Sequence, residues 1–462
     1  MSAVKAERYA AYKDSGVEWL REVPGNWRTL RLKDVIEKLE SGVSVNASDE
    51  PATGNNIGVL KTSCVGKDSF IPDENKSVWP TELNRVSTPV RAGRIIVSRM
   101  NTPQLVGASA YVPKNYPNIF LPDRLWQTVF FSSVRLDSKW LSLLIGCKDF
   151  RYLLSTVATG TSPSMKNLGQ DKFLSISIPF PSHAEQTAIA AYLDTKTAQI
   201  DRQIDLLSQK ATQYGKLKQS LINETVTRGL DKAVPMKDSG VICIGLIPRH
   251  WKKLRLKDLG TIETSSIDKK TIENEKLVKL VNYSDIYGNL KKEIFNQVGY
   301  MIVSANAKQI KDKNLNQGDV LFTPSSETYE DIGVSSVVME NLIDTLYSYH
   351  ILRLRFHKKI ELNFKKYLFN NNYVQTYFSQ SAKGTTRKIL GLTQFNNLEL
   401  VFPPAYKEQK EIAAYLDHKT TQIDRIINVI GSQIDKLKDL RKALINDVVT
   451  GKIKVVSGGI AV

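Results

Sequence analysis

Cysteine is scarce in this chain. Three occur in 462 residues, Cys64, Cys147 and Cys243, far apart and with no CxxC among them. That excludes a disulfide framework and the usual zinc spacings, and it fits a reducing cytoplasm. Histidine is nearly as sparse, and His183, His250, His350, His357 and His418 never fall at metal-ligand spacing. Long apolar runs are missing too. None approaches the roughly 20 residues of a membrane span, and residues 1 to 12 are too polar for a signal peptide. A soluble, cytoplasmic protein with no membrane role is expected. Sites for chemistry are also lacking: no GxxxxGK followed by Ser or Thr, no GxGxxG after a strand, no Ser/His/Asp or Cys/His set at arguable spacing. Acidic residues are outnumbered, 47 against 64 Lys and Arg, for a net charge of +17. A chain this basic is expected to meet a polyanion, nucleic acid first.

What is present is written twice. Lys13-Asp14-Ser15-Gly16 returns as Lys237-Asp238-Ser239-Gly240. Pro24, Trp27 and Leu30-Arg31-Leu32-Lys33-Asp34 return as Pro248, Trp251 and Leu254-Arg255-Leu256-Lys257-Asp258, at the same offset of 224. At an offset of 223, Ala190-Ala191-Tyr192-Leu193-Asp194 returns as Ala413-Ala414-Tyr415-Leu416-Asp417, and Gln199-Ile200-Asp201-Arg202 as Gln422-Ile423-Asp424-Arg425. Residues 40 to 160 and 262 to 383 barely match. Each half is a fixed frame around a variable interior, as a scaffold carrying two different readers would be.

Leu193, Ile200, Leu207, Tyr214 and Leu221 recur every seven residues, and so do Leu416, Ile423, Ile430, Leu437 and Leu444. Five heptads each predict two long helices packed as a coiled coil. Gly229 and Gly451 sit where each should stop. Glu185-Gln186 and Glu408-Gln409 fall in the opening turns, where exposed N–H groups favour them. Short β-branched runs, Arg94 to Ser98, Leu105 to Val112, Leu277 to Val281, Asp319 to Thr323 and Val334 to Met339, predict strands. Lys139 to Ser155 and Phe364 to Gln380 predict amphipathic helices. The expected class is α+β. Recognition domains cover 1–182 and 231–404, helical spacers 183–230 and 405–452, and a flexible tail 453–462.

Two features could mislead. Phe402-Pro403-Pro404-Ala405-Tyr406 is similar to the Asn/Asp-Pro-Pro-aromatic motif of amino-methyltransferases, but phenylalanine cannot accept a hydrogen bond from the target amine. Helix entry after a strand is the better account. Glu327, Glu330 and Asp331 cluster in one loop, which reads as a solvated turn.

Together these blocks resemble the specificity subunit of Type I restriction–modification systems. The resemblance rests on Lys-Asp-Ser-Gly…Pro…Trp…Leu at each half's start and Pro…Glu-Gln…Ile-Ala…Leu-Asp…Ile-Asp entering each helix, and it covers essentially the whole chain. It implies two target recognition domains, each reading half of a bipartite site on double-stranded DNA, held apart by two antiparallel helices in a pseudo-two-fold repeat. It implies no catalytic site and no cofactor in this chain. Two modification subunits would dock on the helices and methylate adenine with S-adenosylmethionine, and ATP-dependent restriction subunits would join them. A free-standing sequence-specific DNA-binding protein is the alternative. Half-sites read from one face lie about one turn, roughly 10 base pairs, apart.

Candidate DNA contacts follow. In the second half Lys383-Gly384-Thr385-Thr386-Arg387-Lys388 packs cations and hydroxyls around a glycine that lets backbone approach phosphate. The first-half equivalent, Gly160-Thr161-Ser162 to Lys166, carries fewer cations. For base reading, Arg99 and Asn101 follow a strand, Arg to guanine and Asn to adenine being common pairings. Arg124 and Gln127 lie in a second polar stretch, and Thr323, Ser325, Ser326 and Tyr349 occupy comparable places in the other half. Trp27 and Trp251, as frame residues, are expected to anchor the core. Asp201-Arg202 and Asp424-Arg425 suggest equivalent docking of two partners.

Overall fold

The computed structural model describes residues 7–66, 69–162, 164–241 and 243–455. Residues 456–462 of the expected tail lie outside them. Two long helices run over His183–Arg228 and Tyr406–Val449. Between and before them lie mixed strands and short helices, the α+β content expected.

The chain divides into two compact units, Met1–Leu207 with Ser432–Val462, and Ser208–Gly431. The division cuts through both long helices. Each unit therefore holds one variable interior, the entering half of one helix and the closing half of the other.

In the first unit an antiparallel sheet runs Ser109–Tyr111, Ile95–Ser98, Leu125–Phe130, Ile36–Ser41. Ile95, Ile96 and Val97 are fully buried, which is why this run shows no polar alternation. A second sheet joins Asn75–Ser77, Gly58–Leu60, Tyr116–Phe120 and Pro89–Val90. The first sheet packs against Trp27, Trp140, Phe150 and Phe173, and against both helices through Ile189, Leu193, Ile445 and Val448. Residues 189–193 meet 445–449, so the helix segments are antiparallel. Arg441 pairs with Asp201 across them at 3.0 Å.

The second unit repeats the plan. Its sheet runs Gly260–Thr264, Leu352–Phe356, Val320–Phe322, Ser335–Val338, with Glu293–Ile294 added. Its core joins Trp251, Phe322, Phe364 and Phe395 to Ile222 and Val226 of one helix and Ile412 and Leu416 of the other. Lys218 pairs with Asp424 at 2.7 Å. Trp27 and Trp251 are 0% and 1% exposed and anchor these cores. Asp201 and Asp424 each form an ion pair across the helix segments of their unit.

Two expected helices are each broken in two. The first is Ser138–Gly146 then Lys148–Val157, the second Phe364–Phe369 then Asn372–Ser381. Polar groups on the long helices cap the restarts. Asn446 Oδ1 accepts from the Asp149 N–H (3.1 Å), and its amide donates back to the Asp149 carboxylate (3.0 Å). Asn223 Oδ1 accepts from the Asn372 N–H at 2.8 Å. Asn223 and Asn446 are repeat equivalents, each serving the unit that holds the closing half of its helix. The opening-turn glutamines also tie helix to domain. Gln186 accepts from the Asp137 N–H (2.9 Å) and Gln409 from the Glu361 N–H (2.8 Å). Glu185 accepts from the Tyr9 hydroxyl at 2.6 Å, and Glu408 from the Trp251 indole at 2.8 Å.

Candidate nucleic-acid interface

In the second unit the basic loop is the tip of a hairpin. Lys383 and Ile389 exchange both backbone bonds (3.0 and 2.8 Å), and Lys388–Ile389 pairs with Ser325–Ser326. Lys383, Thr385, Thr386 and Arg387 are exposed. Gly384 has φ +117°, and a Cβ there would overlap the Arg387 carbonyl oxygen, so only glycine lets the hairpin close. Lys388 works within the loop. Its ammonium donates to the carbonyls of Gly384 (3.1 Å) and Thr385 and sits 4.4 Å from the Tyr329 ring centroid.

The first unit builds a hairpin at the equivalent place, its loop two residues longer. Thr159–Ser162 pairs with Met165–Asn167, which pairs with Met100–Asn101, Lys166 opposite Asn101. A Cβ on Gly160 would overlap the Met165 carbonyl. The side chains of Thr161 and Ser162 lie outside the described residues. The backbone joins Arg99 to this group, its C=O accepting from the Leu168 N–H (2.8 Å) and its N–H donating to the Arg124 carbonyl (3.0 Å). Gly160, Lys166, Asn101, Arg99 and Arg124 are thus brought together. Arg124 is exposed, whereas the Arg99 guanidinium lies 5.9 Å from the Trp126 ring centroid and is half-buried. The Asn101 amide donates to Ser98 Oγ at 3.2 Å.

Ser325 and Ser326 occupy in the second unit the strand that Met100 and Asn101 occupy in the first. The frames match and the side chains differ. Thr323 and Gln127 are corrections. Thr323 is fully buried, its hydroxyl 3.4 Å from the Val334 carbonyl. Gln127 is fully buried, accepting from the Arg91 N–H at 2.9 Å. Both are spent inside the domain, Gln127 in the middle of the strand Leu125–Phe130 and Thr323 directly after Val320–Phe322.

The expected Tyr349 is 47% exposed, its ring 3.8 Å from that of His350, one of several neighbours that sequence reasoning missed. His350 is held below the usual histidine range, by burial first and then by the positive charges of Arg387 and Lys269. Tyr283 and Tyr287, one helical turn apart, stack with centroids at 5.4 Å. The Tyr287 hydroxyl donates to Asp331 at 2.9 Å, which pushes its own pKa up. The only hint in the sequence was the i,i+4 spacing of the two tyrosines.

No cluster of three or more His, Cys, Asp or Glu able to hold a metal occurs among the described residues, Glu327, Glu330 and Asp331 included. Among them, no helix is long and apolar enough to cross a membrane. A cavity of about 1410 Å³ in the first unit shares no residue with the hairpin.

Each half of the doubled frame thus carries one cation-bearing hairpin, and comparison with known proteins gives the family. The model of the Type I restriction modification DNA specificity domain matches twice, over residues 24–212 and 248–436. The chain belongs to the family of Type I restriction–modification specificity proteins. It is 23% identical to the MjaVIII specificity subunit of Methanocaldococcus jannaschii over 94% of both chains. It is 27% identical to the EcoEI specificity subunit of Escherichia coli over 37% of this chain and 29% of that one. Among solved structures, a chain from a study of assembly and conformational transition of the type I R-M system matches with a TM-score of 0.65 at 16% identity, over 92% of this chain and 98% of that one. The HsdS subunit from Thermoanaerobacter tengcongensis matches with a TM-score of 0.52 at 16% identity, over 93% and 98%.

Proposed function

We propose that each unit reads one half of a bipartite duplex target through its hairpin and the loops beside it, and that the helix pair sets the gap between half-sites. The observation that carries this is the hairpin itself: one stands at the same place in each unit, around Gly160 and Gly384, beside Arg99, Asn101, Arg124 and Lys166 in one unit and Ser325, Tyr349, Lys383 and Arg387 in the other. Phosphate contacts by the cations would position each unit, and the differing polar groups would specify bases. The chain itself does no chemistry. The methyl donor S-adenosylmethionine belongs to modification subunits, and cleavage to restriction subunits.

Two modification subunits dock on the long helices. Leu206 and Val429 are repeat equivalents, 48% and 57% exposed, and so are Leu217 and Leu440, 54% and 55% exposed. Apolar side chains left uncovered at matching places in both repeats suit two copies of one partner. Leu217→Glu should weaken capture of the modification subunit, and Leu217→Glu with Leu440→Glu should abolish it, read by mass of the copurified complex. An unchanged two-copy complex would place docking elsewhere.

The reading is tested by selecting duplexes from a random library with the copurified complex at stated salt, since phosphate contacts make affinity salt-dependent. Two different half-sites at a fixed gap are expected. A single continuous motif, or no enrichment, would overturn it.

A further inference from the structure

Residues 15–21 and 239–245 are repeat equivalents, and the described residues of the second share the turn bonds of the first. The N–H of Ser15 donates to the Arg21 carbonyl (2.8 Å) and that of Ser239 to the Gly245 carbonyl (2.9 Å). Arg21 N–H reaches Val17 O at 2.9 Å, and Gly245 N–H reaches Val241 O at 3.0 Å. Trp19 and Cys243 therefore leave the backbone at the same place in the two units.

The main difference between them is the side chain at this place. In the first unit the Trp19 indole meets the Phe150 ring edge to face at 5.3 Å and donates its N–H to the Ser177 carbonyl at 3.1 Å. In the second unit Tyr373 stands at the position of Phe150 and Glu399 at that of Ser177, but the indole is replaced by a thiol. The missing volume is open. A cavity of about 420 Å³ is lined there by Cys243, Tyr373, Tyr377, Gln380, Arg255 and Glu399. That lies within the roughly 300–1,000 Å³ usual for small-ligand sites, with aromatic walls and a few polar groups at the rim.

We propose that this slot is a binding site for a free, planar aromatic ring of indole size carrying an N–H donor. The first unit supplies the argument for the occupant: at the same place it holds such a ring against an aromatic edge and a backbone carbonyl, with a larger cavity open beside it. In the second unit the wall tyrosine and the Glu399 carbonyl remain, and Cys243 at the mouth leaves room for the ring. The inference does not depend on the DNA-reading role.

The thiol gives the assay. Cys64 and Cys147 are buried and Cys243 is exposed. Burial pushes both buried thiols up, Cys147 to about 12, so a thiol reagent should modify the folded full-length chain at Cys243. Indole should slow that modification at least tenfold at saturation and raise the melting temperature. 1-Methylindole, which lacks the donor, should need about three- to tenfold higher concentration, the worth of one hydrogen bond. Cys243→Ser should keep the indole-dependent rise in melting temperature. Cys243→Trp should fill the slot from within, melt higher without ligand, and lose that rise. If indole neither protects Cys243 nor shifts the melting of the wild type and Cys243→Ser, the proposal fails. It fails equally if Cys243→Trp responds to indole as the wild type does.

Discussion

At the scale of single residues, the two units depend on a few side chains that no local pattern marks. Asn446 both accepts from and donates to Asp149 across 297 positions of sequence. Asn446→Ala would leave a helix start uncapped and a buried amide position empty, at a cost of about 1–3 kcal/mol to the first unit. Calorimetry should resolve this as a lowered first-unit transition with the second unaffected, and Asn223→Ala should do the reverse. Gly384→Ala would push the hairpin apart at its tip. It should weaken DNA binding at least tenfold while the global melting temperature moves by only a few degrees, as measured by titration with the selected duplex. Thr323 and Gln127 show why residue-scale reading failed where it did. Both types pair with bases and both follow apolar runs, yet Thr323 is taken up by a backbone group beside its own sheet and Gln127 by one beside the neighbouring sheet, and strand pairing is set by segments far away in the chain.

At the scale of elements, the long helices were legible because five heptads and a repeat point the same way. The strands Ile95–Ser98 and Val320–Phe322 were legible as short β-branched runs. The break at Cys147 was not, since apolar spacing continues through it and the capping amide comes from another helix; at Asn370 the spacing likewise continues, although Asn371 itself caps the restart through the Val374 N–H. The hairpin was visible only as a glycine among cations; its partner strand, Ser325–Ser326, emerged from the fold. This element has a pH signature. His350 titrates below its usual range, burial and the charges of Arg387 and Lys269 outweighing Asp268. Its folded pKa is thus below the unfolded value of about 6.5, so the stability gained by keeping it neutral is full above that pH and is lost as pH falls through it. A nearby phosphate reverses the balance. DNA binding should take up a proton, affinity for the second half-site should rise as pH falls below about 6.5, and His350→Gln should flatten the profile. A wild-type profile already flat from pH 5.5 to 7.5 would remove His350 from the interface.

At the scale of the whole molecule, the repeat in the sequence and the compact units in space are out of step. The repeat runs frame, interior, helix. A unit instead takes the closing half of one helix, an interior, and the opening half of the other, because the helix segments pack antiparallel. Trp27, Ile189 and Val448 share one core although more than 400 residues separate the first from the last. No local signal carries that information, since Ile445 and Val448 read equally well as packing anywhere along a coiled coil. The N–H of Lys454 even donates to the Glu7 carbonyl at 2.9 Å, so the first unit joins both ends of the described chain.

This has a consequence for the order of synthesis. The second unit is one unbroken stretch, Ser208–Gly431, and can close as soon as it leaves the ribosome. The first unit is begun first and finished last. Through the making of more than two hundred intervening residues its recognition domain waits with an open flank, until Asn446, Val448 and Val449 arrive. Translation stopped after Gly431 should give a protein whose downstream unit resists protease and whose upstream unit is degraded, the opposite of the usual rule that what is made first folds first.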